Sequence, residues 1–236
     1  ETSEKLQEIN IDDFAAILSI QKNSKKYRPT LFDLLAKNAL EFYKSSETSI
    51  TRPSYKFVIN NPSFLTNYKK FLKIKLETKD SLSLKFNALK IYQKLIQFHS
   101  KESNLNAFAN NDIDRLQFVK QHATFKNNEA IFLSALEFAK ENFNKNDISG
   151  LYAFEIAKIY KEKSENNAAI TICDQIIKKY PKSLGAKNCT ILKKQIKAKS
   201  LSITLEKNIP TNTITRMLIN YKNIDHLYFT AYKITN

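Results

Sequence analysis

Two cysteines are the residues best placed to do chemistry together. Cys173 and Cys189 lie eight residues before and eight residues after Pro181, a proline that marks a turn between two apolar-periodic segments. In an antiparallel helix pair, residues equidistant from the turn sit at the same height. Both cysteines fall on apolar stripes, Cys173 among Ile170, Ile176 and Ile177, and Cys189 beside Leu192 and Ile196. This placement admits a disulfide; two buried thiols in contact is the other reading, because spacing alone does not fix connectivity. The histidines offer less. His99, His122 and His226 stand in separate segments with no i,i+3 or i,i+4 pair, and no cysteines have C-x-x-C spacing, so neither a metal nor another cofactor is expected. Asp112 and Asp114 are two apart and point to different sides of a helix. They make a poor acid–base pair, and Asp112 reads as a helix cap. Gly185 opens no nucleophile elbow, since its surroundings are helical rather than strand–turn–helix. No Ser/His/Asp set stands out, so the chain reads as non-enzymatic.

The densest charge is a run of lysines with no acid between Asp174 and Glu206. Lys187, Lys193, Lys194 and Lys197 share one side of the last expected helix, opposite Leu192 and Ile196. They form either a docking strip for an acidic partner or a solvated face, the usual meaning of a lone charge run. The formal charge of the 236-residue chain is +15. Nucleic-acid binding would use such charge to neutralise phosphates. Yet only Arg28, Arg52, Arg115 and Arg216 carry the guanidinium suited to bidentate readout, and they are scattered. Nucleic acid is therefore a weaker variant and not the expected partner.

The elements that must position these residues are mostly helices. Two glycines in the whole chain are too few for glycine-rich phosphate loops or a turn-rich all-β fold. A chain this long buries roughly 70% of its unfolded surface and needs no staple to fold. No stretch reaches the ~18 apolar residues of a membrane span, and no signal peptide opens the chain. An opening at Glu1 rather than Met is consistent with removal of a leading segment.

In chain order, Phe14, Ile17 and Leu18 predict a short amphipathic helix after Asp12 and Asp13, and Lys22–Arg28 a solvated connector. Pro29 fits the first position of a helix over 30–45, with Leu31, Leu34, Leu35, Ala39 and Phe42 as its stripe. A polar break follows over 45–62, in which Tyr55, Phe57 and Ile59 alternate as an extended arm. Pro62 starts a helix carrying Phe64, Leu65, Tyr68, Phe71, Leu72 and Leu76. Asp80 or Ser81 caps the next, with Phe86, Leu89, Tyr92, Leu95 and Ile96 inward. One or two helices cover Asn104–His122, and another Glu129–Phe143. From Gly150 to Lys199 a helical hairpin unit runs to Pro181 and is followed by Leu184–Lys199. Counted back from Pro181, Ala157, Tyr160 and Ala169 occupy the small and aromatic places of the tetratricopeptide pattern, while Cys173 stands where an aromatic is usual. Eight or nine helices on one period read as an irregular, tetratricopeptide-like α-solenoid over 1–199.

At Ser200 the rhythm changes to period two. Leu201, Ile203 and Leu205, then Met217, Ile219 and Tyr221, then Leu227, Phe229 and Ala231 predict at most three antiparallel strands, with turns at Thr211–Thr213 and Asn223–Asp225. A sheet of this size is marginal alone. The 200–236 segment therefore reads as an incomplete β domain whose edges are paired between copies, exchanged, or packed on the helices.

KNIDHLYFTAYKIT resembles the start of the first macroglobulin-like domain of bacterial alpha-2-macroglobulin-like proteins, in which a strand ending in a Tyr-Lys-Asn turn precedes a Leu-Tyr strand. Those residues here are Tyr221, Lys222, Asn223, Leu227 and Tyr228. RPTLFDLLAKNALEFY, ITRP, IYQKLIQFH and YPKSLGAKNC are similar, in that order, to the helical region preceding this domain in one branch of the family. The resemblance implies an extracytoplasmic protein, periplasmic, outer-membrane-anchored or secreted, that traps proteases as an endopeptidase inhibitor. The extracytoplasmic setting would favour the disulfide. The family's thioester pattern, a Cys with Glu and Gln close behind, is absent: Asp174 and Gln175 follow Cys173, and Thr190 and Ile191 follow Cys189. What carries over is a role as a non-catalytic leading scaffold or docking segment, with proteases as partners of the full-length protein and other domains of the same chain as neighbours. The alternative is a free-standing helical-repeat adaptor for protein–protein interaction, with Asn and Lys lining a concave peptide groove.

Overall fold

The computed structural model describes residues 2–19, 21, 23–45, 54–102, 105–206, 208, 213–230 and 232. Among them are nine α-helices: α1 Thr2–Glu8, α2 Leu31–Tyr43, α3 Tyr68–Phe71, α4 Leu84–His99, α5 Leu105–His122, α6 Asn128–Asn142, α7 Ser149–Glu162, α8 Asn166–Lys179 and α9 Leu184–Lys197. A two-stranded antiparallel sheet follows, β1 Ser200–Leu205 and β2 Met217–Lys222. The fold is thus mostly helical with a short antiparallel β segment at its end.

Each helix from α4 to α9 packs on its chain neighbour, and α5, α7 and α9 also meet across one side of the array. α7 is the pivot. Its large side chains, Tyr152, Ile156 and Ile159, enter the main core shared with α2 to α6. Its small ones, Ala153 and Ala157, face α8 and α9, where Ala169, Cys173, Ala186 and Cys189 close a second core. The partition of bulky and small residues around one helix lets α7 serve both cores.

The most buried charge holds the irregular part of the chain. Arg115 is the largest fully buried side chain, at 0% exposure. Its Nε and Nη2 donate to Asp112 Oδ1 at 3.1 and 2.6 Å, Nη1 donates to the Phe64 carbonyl at 2.7 Å, and Nη2 to that of Thr66 at 3.0 Å. The guanidinium carbon lies 4.5 Å from the centre of the Phe71 ring, and Tyr152 donates to Asp112 Oδ2 at 3.1 Å. Gln93 Nε2 donates to the carbonyls of Phe71 and Ile74. A buried carbonyl outside a helix or sheet needs such a donor, and Arg115 and Gln93 supply them to the strap over 54–80.

This strap corrects the helix expected from Pro62 to Leu76. Only a 3-10 turn, Pro62–Leu65, and the single-turn α3 form. The strap buries Ile59, Phe64, Leu65 and Phe71, and Ile59 pairs in parallel with Ala123 as an isolated bridge. The alternation expected of Tyr55, Phe57 and Ile59 does not hold, because Tyr55 is exposed and Phe57 and Val58 are both half-buried. Asp80 does not cap α4: it accepts from the Phe57 amide at 2.9 Å, and Ser83 caps instead. Asp112 is no cap either, because α5 runs unbroken through it. The expected α2 stripe is also displaced. Phe32, Ala36 and Leu40 face inward, while Leu35 and Phe42 are exposed. Thr30, rather than Pro29, opens that helix, in a reciprocal capping box with Asp33. The helix expected near Phe14 is a 3-10 turn, Ile11–Phe14. Beyond β2, residues 226–230 and 232 form no strand, so the third strand is not paired among the described residues; the turn at 211 and 212 lies outside them, as does the end of the third strand at 233 and 234.

Asp33 explains the shift in α2. Its Oδ1 lies 2.6 Å from Nε2 of His99, and Nδ1 of His99 lies 2.6 Å from Oε2 of Glu102. Burial alone would lower the His99 pKa, but the two carboxylates outweigh it and raise the pKa above the usual histidine range. The folded chain then binds a proton that the unfolded chain releases, so His99 stabilises the fold fully below about pH 6.5 and progressively less as pH rises through the higher folded pKa. Denaturant unfolding of the wild type from pH 6 upward should show falling stability, and His99→Gln should flatten that slope. An equal slope in both proteins would contradict the assignment.

Candidate functional site

The two glycines of the chain touch each other. A Cβ on Gly185 would sit 2.4 Å from the carbonyl carbon and 2.7 Å from the Cα of Gly150. A Cβ on Gly150 would meet Ile176 Cγ2 at 2.9 Å and Gly185 Cα at 3.4 Å. Neither residue has positive φ, so close approach is their reason for being glycine. Each stands in the first turn of its helix, and together they bring the starts of α7 and α9 to backbone contact.

Beyond that contact a trough opens between the two helices. Its first basin, about 290 Å³, has Phe154, Ile191 and Leu192 as its apolar wall and Lys158, Lys161, Asn188 and Gln195 among its polar lining. Lys161 donates to Gln195 Oε1 at 3.1 Å across its end. Paired residues on the two helices lie 35 (Gly150 and Gly185) and 34 (Lys161 and Gln195) positions apart, the tetratricopeptide period. Phe154 and Asn188 continue into a second basin of about 310 Å³, reaching Asn110 and Gln117 of α5 and Lys37 of α2.

Three charged side chains of the second basin, Asp114, Lys37 and Glu155, have partners within the protein, whereas Arg28 at its edge is exposed. Asp114 pairs with Lys44 at 2.6 Å and Lys37 at 3.5 Å and accepts from the Tyr92 hydroxyl at 2.9 Å. Burial opposes its ionisation, yet these partners hold its carboxyl below the usual carboxylate range. Glu155 accepts from Gln117 and Lys158 at 2.8 and 2.9 Å. Asn110 and Asn188, by contrast, make no side-chain hydrogen bond among the described residues. Ile191 is 55% exposed, an isoleucine off the buried stripe of its helix.

The sequence-expected residues fall as follows. Cys173 and Cys189 meet, both buried and both free thiols. Of the lysine strip, Lys193 turns inward to pair with Asp174, whereas Lys187, Lys194 and Lys197 are exposed. Asp112 and Asp114 do point to opposite sides, one to Arg115 and Tyr152, the other to Tyr92 and two lysines. Both ring nitrogens of His99 are taken up by carboxylates, Asp33 on one side and Glu102 on the other. His122 packs on Phe118, and burial with Lys85 and Lys44 lowers its pKa. Among the described residues no group of three or more His, Cys, Asp or Glu is placed to hold a metal ion, and no helix is long and apolar enough to cross a membrane. A groove lined by Asn and Lys was expected of the adaptor reading, but without its residues; the traces of this trough in the sequence were the seven-residue spacing of Asn188 and Gln195 and the isolated Ile191.

Comparison with protein-family models, curated proteins and solved structures finds no match to this chain. The macroglobulin resemblance rests on the residues quoted for it. Two of those hold the end of α9: Lys222 Nζ donates to the Gln195 carbonyl at 3.1 Å, and Asn223, in the left-handed region at φ 53, donates to the carbonyls of Ile196 and Ala198 at 2.7 and 2.9 Å. The turn after Tyr221 thus caps the open end of α9 and seats the hairpin on it.

Alanine at position 185 would gain about 1 kcal/mol of helix propensity and, because its Cβ meets backbone rather than a yielding side chain, lose about 2–3 kcal/mol to overpacking. We expect Gly185→Ala to lower the melting temperature by roughly 2–8 °C, measured by circular dichroism. An unchanged or raised value would show that the backbones are not in contact.

Proposed function

We propose that this chain is a non-catalytic docking module. In this reading its helical array holds an extended polypeptide segment in the trough along α5, α7 and α9, and its hairpin opens a macroglobulin-like β domain of an extracytoplasmic protease-trapping protein. The observation that carries the docking role is the unengaged Asn188, which lines both basins, with Asn110 likewise unengaged in the second. An asparagine amide offers donors and an acceptor together, which suits the alternating N–H and C=O groups of an extended backbone. Phe154, Ile191 and Leu192 offer an apolar seat for one anchoring side chain, and Lys158 and Lys161, against the single acid Glu162 in the same lining, with the overall charge of +15 favour acidic residues beside it.

The hairpin favours the leading-segment reading over a free-standing adaptor. Its register pairs Leu201 with Tyr221, Ile203 with Ile219 and Leu205 with Met217 on one face. All but the half-buried Ile219 are exposed. The opposite face carries Ser200, Ser202, Thr204, Leu218, Asn220 and Lys222. One apolar and one mostly polar face is the pattern of a sheet covered on one side by a second sheet about 10 Å away. Other domains of the same chain, or strands of a second copy, are the partners this face would take.

Display selection of random peptides on the folded chain, followed by fluorescence anisotropy, tests the docking role. Selected peptides should carry an apolar anchor flanked by acids. Ile191→Glu and Asn188→Ala should each weaken binding about tenfold or more, with melting temperatures close to wild type. Binders indifferent to both substitutions would rule out the trough as the recognition surface.

A further inference from the structure

Cys173 on α8 and Cys189 on α9 face each other inside the second core. Both are at 0% exposure, and both belong to the one small-residue core that α8 and α9 close against α7. They are the two cysteines of the chain, so no rival intramolecular pairing exists. The neighbouring Cys189 thiol holds the Cys173 thiol below its usual range, while Cys173 and burial push the Cys189 thiol up. Next to them Lys193 of α9 pairs with Asp174 of α8, so one seam carries both contacts. α9 packs on α7 and α8 and forms the far wall of the trough.

We propose that Cys173 and Cys189 close into an intramolecular disulfide that fastens α9, and with it the trough wall bearing Asn188 and Ile191, to α8. The oxidant is a low-molecular-weight disulfide such as glutathione disulfide. The Cys173 thiolate attacks one of its sulfurs and expels one glutathione thiolate, leaving a mixed disulfide. Cys189 gives up its proton and attacks the Cys173 sulfur, expelling the second glutathione. Two protein thiols are oxidised, one oxidant S–S bond is reduced to two thiols, and the two protons end on glutathione. Both sulfurs are enclosed in the folded chain. The exchange therefore proceeds during folding or during transient opening of α9, and the finished bond is shielded from reductant. The bond spans sixteen residues of chain and restricts the unfolded chain accordingly. This inference does not depend on the docking role, because its readouts need no peptide.

The test refolds the wild-type chain in a glutathione redox buffer, alkylates it without reductant, and measures intact mass, non-reducing gel mobility and melting temperature. We expect an unlabelled monomer, two mass units lighter than the reduced chain. A single Cys173–Cys189 linked peptide should appear on digestion, with a melting temperature roughly 5–10 °C above that of the reduced chain. Cys189→Ser, refolded alongside, should give one labelled thiol and no such rise. Two labelled thiols in correctly folded wild type would overturn the proposal. So would disulfide-linked dimers, or a bond that leaves the melting temperature unchanged. The wild-type comparison decides the matter even where Cys189→Ser does not fold.

Discussion

The contact between Gly150 and Gly185 is the constraint on which the site depends. Two helices that are not chain neighbours are brought to backbone contact at their first turns, and the space between them widens from there. A side chain at 185 would part the helices at the point where they are joined, and one at 150 would press on Ile176 of α8. The trough, the 34-residue pairing of its walls and the seating of the hairpin on the end of α9 all follow from where that contact places α9. A chain with two glycines uses both at one crossing, giving up helix propensity of about 1 kcal/mol at each.

A second constraint acts upstream. Buried arginine is costly unless its donors are satisfied, and Arg115 is satisfied by one carboxylate and two carbonyls of an otherwise irregular strap. Charge and strap need each other: without Arg115 the strap's carbonyls would be buried without donors, and without the strap the guanidinium would face only Asp112. Tyr152 extends this network to α7, so the helix that carries one glycine is also tied to the main core.

Much of the helical half was legible. The polar break expected at 163–167, which falls at 163–165 between α7 and α8, the turn at Pro181, the strand onset at 200, and the meeting of Cys173 with Cys189 could be read from periodicity and from distance to Pro181. What escaped did so for physical reasons. Leu31, Leu35 and Phe42 make a plausible stripe in α2, but Asp33 is drawn inward by His99, an acid–imidazole pair sixty-six residues apart that no local pattern announces. Pro62 begins helical geometry, yet Arg115 and Gln93 take the strap's carbonyls and no helix continues. Asp112 looks like a cap because a cap and a buried ion-pair partner have the same side chain. The trough was invisible because Asn110 and Asn188 are ordinary surface residues until two helices far apart in sequence are set side by side.

A double-mutant cycle joining Gly150→Ala and Gly185→Ala, read by denaturant unfolding, tests the central claim most directly. If the backbones touch, the first methyl prises the helices apart and the second costs little more. The two losses should then fall short of additivity by about 1 kcal/mol or more. Losses that add within about 0.5 kcal/mol would mean that the glycines act independently, and that the trough owes its shape to something else.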